Sequence, residues 1–247
     1  MDSEKYMLPY QRFDFEQALA PYETDKLRAA VMKLIPADSV LYHNHVKDGY
    51  LYGYPLMQYK SIRGREAILY LGEGVNYIGD LFRDLNRKVV LPSGDSVDFR
   101  IRRIAAKVYR LGLLAQPRYY RLKNWLPVQD DNYRRFRELS GEAEQEAFLR
   151  NILTGNILTF AKGVGWHVDG TLEIPDFHIK GRRWISYKDV KMLGFDLLFS
   201  VNAFLPPYIG LGKGAAKNYG VVTPTRPAQH AELKSLTKNE QTNNHKS

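Results

Sequence analysis

Residues 97–111 have the sequence VDFRIRRIAAKVYRL, and the positions of the apolar side chains change phase within it. The apolar residues occupy odd positions over 97–101 and even positions over 104–108. Because side chains alternate between the two faces of a strand, this change of phase requires one extra residue near Arg102 and Arg103. The stretch therefore predicts a long strand with a β-bulge, which can end one sheet and lead into the next.

The chain before this strand supplies the other elements of a βαββαβ unit. Alternation, helix-capping residues and a turn at Arg63-Gly64 define their limits. The predicted elements are a strand at 12–15, a helix at 24–34, strands at 56–61 and 67–71, and a helix at 75–85. This order is that of the ferredoxin-like fold.

The second half of the chain predicts a less regular copy of the same unit, in which no second helix is found before the end. Its predicted elements are a strand at 119–128, a helix after Ser140 with an apolar face from Leu149 to Phe160, and strands at 174–180, 184–190 and 193–205. We therefore expect an α+β protein with two tandem ferredoxin-like (RRM-like) domains. The domains are predicted over residues 1–114 and 115–223, with a flexible tail at 224–247.

The charge balance favours a polyanionic partner. The sequence has 36 Lys and Arg residues against 27 Asp and Glu, a formal net charge of +9, and the excess is spread along the chain. RNA or DNA is the commonest polyanion that binds the positive face of a folded domain, although many basic proteins bind no nucleic acid. The absence of cysteine excludes disulfides, thiolate zinc sites and a cysteine nucleophile. Neither a membrane span nor a signal peptide is predicted, so we expect a cytoplasmic protein.

Residues 206–220, PPYIGLGKGAAKNYG, form a Gly-rich loop after the last predicted strand. Glycines let a backbone approach a ligand closely, and successive N–H groups can bind an anion. Gly214 stands where a nucleotide P-loop has Ser or Thr, and no crossover helix follows as in a Rossmann fold. Two interpretations remain, a mobile turn or a phosphate-binding loop that uses Gly210, Gly212, Lys213, Gly214 and Lys217.

The motif His43-Asn44-His45 is the sharpest chemical feature of the sequence. In an extended segment, residues i and i+2 point to the same side, about 6.5–7 Å apart. One imidazole could then deprotonate an attacking hydroxyl while the other protonates the leaving oxygen, since the pKa of histidine lies near 6.5. A structural role for the pair stays open, as does a zinc site in which His167 or His178 is a third ligand.

Three motifs in this order resemble the CRISPR repeat-processing endoribonucleases of the RAMP superfamily. They are His43-Asn44-His45, the stretch YPLMQYK at 54–60, and the Gly-rich loop. The branch that this chain resembles most carries a His-Asn-His and a Tyr-Pro-Leu-Ile-Gln-Tyr-Lys signature. The chain departs from it at Met57 in place of Ile, at Gly53 where Arg is expected, and at Asn218-Tyr219-Gly220 in place of Gly-Phe-Gly.

The resemblance implies two ferredoxin-like domains and a metal-independent cleavage of CRISPR repeat transcripts. The RNA 2′-hydroxyl would be the nucleophile, and the products would carry a 2′,3′-cyclic phosphate and a 5′-hydroxyl. His43 and His45 would be the catalytic pair, and Lys60 would either stabilise charge on the phosphate or be a surface lysine at the end of a strand. No metal or cofactor is implied.

The resemblance also identifies the partner as CRISPR repeat RNA, with other CRISPR-associated proteins and a second copy of the chain as further candidates. Basic residues near the bent strand, in an expected turn of the second half and in the Gly-rich loop would contact the RNA. Outside the Gly-rich loop they are Arg100, Arg102, Arg103, Arg118, Arg121, Lys123, Arg182 and Arg183. Two alternatives are a non-catalytic RNA-binding RAMP protein and a metal-dependent hydrolase with histidine ligands.

Overall fold

The computed structural model of the protein describes residues 6–16, 28–29, 31, 45–46, 49–50, 53–79, 89–90, 96–97, 100–128 and 130–228. Its strands are β1 (Tyr6–Phe15), β2 (His45–Val46), β3 (Gly49–Tyr50), β4 (Met57–Ile62), β5 (Arg65–Leu71), β6 (Val89–Val90), β7 (Ser96–Val97), β8 (Ile101–Leu111), β9 (Leu113–Trp125), β10 (Phe177–Tyr187), β11 (Val190–Ala203) and β12 (Val221–Pro224). A 3-10 helix spans Gly72–Tyr77, and two α-helices follow, α1 (Asp130–Glu138) and α2 (Glu142–Gly163).

The first sheet has the strand order β4-β5-β1-β8, with every pair antiparallel. In chain order this is the second, third, first and fourth long strand, which is the ferredoxin-like arrangement that the sequence predicts. The turn between β4 and β5 is at Arg63 and Gly64, as predicted, and both residues have positive φ. Most of the predicted helix at 24–34, and the end of that at 75–85, lie outside the described residues.

The predicted β-bulge is confirmed at Arg102. Asp14 of β1 pairs with Arg103, whereas the next residue, Phe15, pairs with Ile101, so Arg102 is the extra residue. Ile104 pairs with the buried Phe13 of β1, yet the apolar side chains that resume after the bulge lie at the margin of the sheet, because β8 is an edge strand. Ile104 is 53% exposed as a result.

The second sheet repeats the order of the first, as β10-β11-β9-β12. Its first helix is α2, whose residues Leu149, Leu153, Ile157 and Phe160 are buried. Where a complete ferredoxin-like unit has a second helix, between β11 and β12, this chain has residues 204–220, which include no helix. The absence of that helix was predicted, and the Gly-rich loop takes its place in the chain.

Three details of the predicted second half are wrong. Residues 174–205 form two long strands, not three, and the hairpin turn is at Lys188-Asp189, where both residues have positive φ. Arg182 and Arg183 therefore lie inside β10, not in a turn. Helix α1 was not predicted, and α2 begins after Gly141 rather than at a Ser140 cap.

The two sheets share one apolar core. Leu8 and Leu69 of the first sheet belong to the same buried cluster as Leu122 and Phe199 of the second, with α2 against them. Among the described residues, no helix is long and apolar enough to cross a membrane.

The C-terminal end of α2 approaches the first domain so closely that only glycine fits at residue 163. A Cβ atom on Gly163 would lie 2.2 Å from Cβ of Tyr54, whereas one on Gly155, in the same helix, would have no neighbour within 4 Å. Gly163→Ala is expected to destabilise the protein by about 1–3 kcal/mol through overpacking. Gly155→Ala should instead stabilise it by about 0.5–1 kcal/mol, because alanine has the higher helix propensity. Denaturant unfolding of the two variants measures the difference, and equal stabilisation by both would show that this contact does not constrain the helix.

Candidate nucleic-acid interface

The Gly-rich loop (residues 206–220) folds back on itself and onto β12. The N–H of Leu211 donates to the carbonyl oxygen of Gly220 at 2.8 Å, and the N–H of Val222 donates to that of Ile209 at 2.9 Å. Gly212 and Gly214 have φ of 78° and 75°, which glycine adopts without strain. The loop therefore has a defined conformation that depends on its glycines.

Side chains of the 54–60 motif hold the start of this loop. The hydroxyl of Tyr54 donates to the carbonyl oxygen of Gly210 at 2.9 Å, and the Gly210 N–H donates to Oε1 of Gln58 at 2.8 Å. Nε2 of Gln58 donates in turn to the Tyr54 hydroxyl at 2.9 Å. Tyr54 and Gln58 are buried, so these bonds are shielded from water. Both backbone hydrogen-bonding groups of Gly210 are thus satisfied by one motif.

Lys60 of the same motif holds the middle of the loop. Its side chain is fully buried, and its Nζ donates to the carbonyl oxygen of Ala215 at 2.7 Å and to that of Lys217. The neighbouring N–H of Tyr59 donates to the carbonyl oxygen of Ala216 at 2.8 Å. Burial lowers the pKa of the Lys60 ammonium well below its ordinary value. The role of Lys60 in charge stabilisation stays a prediction, and its present contacts are with the loop.

The histidine pair lies at the margin of what the structure describes. His43 is outside the described residues, and of His45 the backbone is described, which pairs with Tyr50 in the hairpin of β2 and β3. The catalytic role of both histidines stays a prediction.

The two lysines of the loop lie against an aromatic side chain. Nζ of Lys213 is 5.7 Å from the ring centroid of Tyr187, and Nζ of Lys217 is 5.3 Å from it. The Tyr187 ring also contacts Tyr219 edge-on, with 5.2 Å between centroids. The loop therefore presents its two positive charges next to the β10–β11 hairpin.

A cavity of about 440 Å³ beside this hairpin contains residues that the sequence analysis missed. Trp184, which is 58% exposed, lies edge-on to Tyr133 at its wall, and Lys188 and Lys191 line it with Lys213. Exposed aromatic rings next to lysines are the usual surface for stacking unpaired bases. The signal in the sequence was two aromatic residues, Trp184 and Tyr187, followed closely by Lys188 and Lys191, and the sequence analysis used this stretch only to predict a strand.

The remaining predicted RNA contacts divide into two groups. Arg182 donates to Oε1 of Gln145 at 3.1 Å, and Arg183 forms an ion pair with Asp196 at 3.0 Å, so both are engaged within the protein. The others are exposed on β9 or near the bulge of β8: Arg100, Arg102, Arg103, Arg118, Arg121 and Lys123. The structure brings Arg102 and Arg103 together in one cavity. On β9, Arg121 and Lys123 lie on the face opposite the buried Leu122, whereas the guanidinium carbon of Arg118 lies 5.1 Å from the centroid of the Phe204 ring.

Two family models match the chain in succession. Their descriptions are Cas6b N-terminal domain, over residues 6–109, and Cas6b C-terminal domain, over residues 112–225. A solved structure described as the crystal structure of Cas6b has a TM-score of 0.81 at 24% identity, covering 89% of this chain and all of the other. Another, described as the CRISPR RNA processing endoribonuclease Cas6b, has a TM-score of 0.68 at 22% identity and the same coverage. An uncharacterized protein of Methanocaldococcus jannaschii is 34% identical over 110 residues, which are 42% of this chain and 70% of that protein.

Proposed function

The chain belongs to the Cas6b family, and on that premise we propose that it is an endoribonuclease that cleaves CRISPR repeat transcripts. The observation that carries the proposal is the contact between two of the motifs of the resemblance. Gln58 and Lys60 bind the backbone of the Gly-rich loop directly, at Gly210 and Ala215, which lie 152 and 155 residues further along the chain. The two motifs are thus bound to each other in the folded protein, which supports a common function.

The positive charges on the Gly-rich loop and on the neighbouring hairpin are suited to binding RNA. The loop carries Lys213 and Lys217 on its surface, and Lys188 and Lys191 continue the positive surface along the hairpin. Lysines of this kind bind phosphates without regard to sequence, whereas an exposed ring such as Trp184 can stack on an unpaired base. We propose that the repeat RNA crosses the Gly-rich loop and the β10–β11 hairpin.

The proposed chemistry needs no group beyond the RNA and the histidine pair. One of His43 and His45 removes the proton of the 2′-hydroxyl next to the scissile phosphate, and the oxygen attacks the phosphorus. The other protonates the 5′-oxygen as it leaves. The products are then a 2′,3′-cyclic phosphate and a 5′-hydroxyl, and atoms and protons balance.

The test is cleavage of an end-labelled CRISPR repeat RNA in excess EDTA, with chemical analysis of the product ends. We expect cleavage at one position at an undiminished rate and a 2′,3′-cyclic phosphate that acid opens to a monophosphate. Loss of cleavage in EDTA that Mg²⁺ or Zn²⁺ restores would instead identify a metal-dependent hydrolase. Tight binding without cleavage in any buffer would identify a non-catalytic RNA-binding protein of the same fold.

A further inference from the structure

A second cavity, of about 380 Å³, is lined by residues of the first domain and by Tyr208 at the start of the Gly-rich loop. Five arginines and one tyrosine dominate its lining: Arg12, Arg63, Arg65, Arg102, Arg103 and Tyr208. These residues come from β1, the β4–β5 hairpin, β8 and the start of the loop. A concentration of positive charge in a concave site favours a bound anion.

One of these arginines, Arg12, is nearly buried in the wall of the cavity. Arg12 is 9% exposed and forms a two-point contact with Asp14, from its Nε at 2.7 Å and from its second terminal nitrogen at 2.8 Å. Its guanidinium carbon is 4.9 Å from the centroid of the Tyr208 ring. The ion pair with Asp14 therefore holds the planar guanidinium of Arg12 against the face of the Tyr208 ring. This contact fixes the orientation of the ring at the cavity.

Two irregularities of the backbone meet in this cavity, beside the β4–β5 turn that contains Arg63. Tyr208 has a φ of 70°, in the left-handed region that bulky residues rarely adopt. Arg102 is the extra residue of the β8 bulge, and such bulges turn side chains towards functional sites. Strained positions of this kind cost about 1–3 kcal/mol each and are characteristic of binding sites.

Among the described residues that line the cavity, one carboxylate, that of Asp14, stands against five arginines. Arg12 is paired with Asp14, and Arg65 donates to the backbone carbonyl of Glu16. Across the described part of the chain, Arg63, Arg102 and Arg103 have neither an ion-pair partner nor a hydrogen-bond acceptor for their side chains. The cavity thus combines an aromatic platform with guanidinium groups able to bind phosphate oxygens in pairs.

We propose that this cavity binds one unpaired nucleotide of the substrate RNA, with its base stacked on Tyr208 and its phosphate held by Arg63, Arg102 and Arg103. The inference rests on the proposed function, and it adds a subsite apart from the Lys213 end of the loop. It also assigns a role to Tyr208, to Arg63 and to the ion pair of Arg12 with Asp14.

The experiment measures binding of a repeat RNA that carries a 2′-deoxy nucleotide at the cut position and therefore cannot be cleaved. Dissociation constants over a salt series are compared for wild type, Tyr208→Leu, Tyr208→Phe, Arg63→Gln and Arg103→Gln. Arg134→Gln is the matched control, since Arg134 is an exposed arginine outside the cavity and lies near Asp131 on α1. In parallel, repeat RNAs with 5-iodouridine at single unpaired positions are photo-crosslinked, and the labelled peptide is identified.

We expect Tyr208→Leu to weaken binding by about 5- to 100-fold and Tyr208→Phe to restore it, because the ring is what stacks. Arg63→Gln and Arg103→Gln should each lower the salt slope by about 0.7, and Arg134→Gln should not change it. One iodouridine position should crosslink to the peptide that contains Tyr208.

Unchanged affinity in Tyr208→Leu together with crosslinks only elsewhere would overturn the inference, whether or not the wild-type protein cleaves. A protein that binds and crosslinks at Tyr208 but leaves a normal repeat RNA intact would keep the subsite and overturn the endonuclease proposal. A wild-type protein that binds no repeat RNA would overturn both.

Discussion

His45→Ala is expected to lower the single-turnover cleavage rate of a saturating repeat RNA by about 10²–10⁴-fold, and His43→Ala by a similar factor. Each variant removes one of the two groups that move protons in the proposed reaction, so the loss should appear in the rate at saturation. The dissociation constant for the 2′-deoxy RNA should stay within about twofold of wild type, because the basic surfaces are intact. Rapid mixing with end-labelled RNA measures the rate, and fluorescence anisotropy measures the binding.

His167→Ala is the matched control for both histidine variants. The side chain of His167 is 91% exposed, and its Nε2 lies 3.5 Å from a carboxylate oxygen of Asp169. A solvated histidine of this kind should be dispensable. If His167→Ala lost as much activity as His45→Ala, the proton-transfer pair would be wrong and a metal site with three histidine ligands would gain support. Full activity in both His43→Ala and His45→Ala would refute the proposed mechanism outright.

The local pattern of apolar residues was sufficient to predict an irregularity within a single strand. The phase change over 97–111 located the bulge at Arg102 because alternation is a property of the strand itself. The same pattern did not reveal that the side chains after the bulge would be exposed. The exposure of these side chains depends on the position of β8 at the sheet edge. That position follows from the pairing of β8 with β1, which lies at the other end of the domain in sequence.

Errors in the second half have local physical causes. Gly181-Arg182-Arg183 interrupts the apolar alternation, which suggested a turn, but the chain passes through this point as a bulge with a register shift between Ile179 and Gly181. Helix α1 has the sequence DDNYRRFRE, and over its residues 131–138, whose burial the structure describes, only Phe136 is buried, so it offered no apolar stripe to detect.

Contacts within the candidate interface could not be predicted from the residues alone. Lys60 was predicted to stabilise charge on the phosphate, since a lysine at a motif position suggests that role, and the role stays a prediction. The motif did not indicate that Nζ of Lys60 would donate to two carbonyl oxygens of the Gly-rich loop, 155 and 157 residues along the chain. We therefore propose Lys60 as a positioning residue that keeps the loop in the conformation that meets the RNA.

Gly220→Ala is expected to lower the free energy of unfolding by about 2–5 kcal/mol and to weaken RNA binding at temperatures where the variant is folded. Gly220 has a φ of 57°, and a Cβ atom there would lie 1.9 Å from the carbonyl oxygen of Leu211. The Leu211 N–H donates to the Gly220 oxygen at 2.8 Å, so the added methyl group would force apart the strand pair that closes the Gly-rich loop. Denaturant unfolding measures the first effect, and anisotropy with the 2′-deoxy RNA measures the second.

Gly72→Ala separates the two causes of that loss. Gly72 has a φ of 55°, in the same left-handed region, but the nearest atom to a Cβ there is a side-chain carbon of Leu8 at 3.6 Å, an ordinary van der Waals distance. This variant therefore carries the backbone strain without the collision, and we expect a cost of about 1 kcal/mol with unchanged RNA binding. The excess cost in Gly220→Ala then measures the contact with Leu211. If the two variants were equally stable and bound RNA equally well, RNA binding would not require the closed conformation of the loop. That result would also refute the positioning role proposed for Lys60.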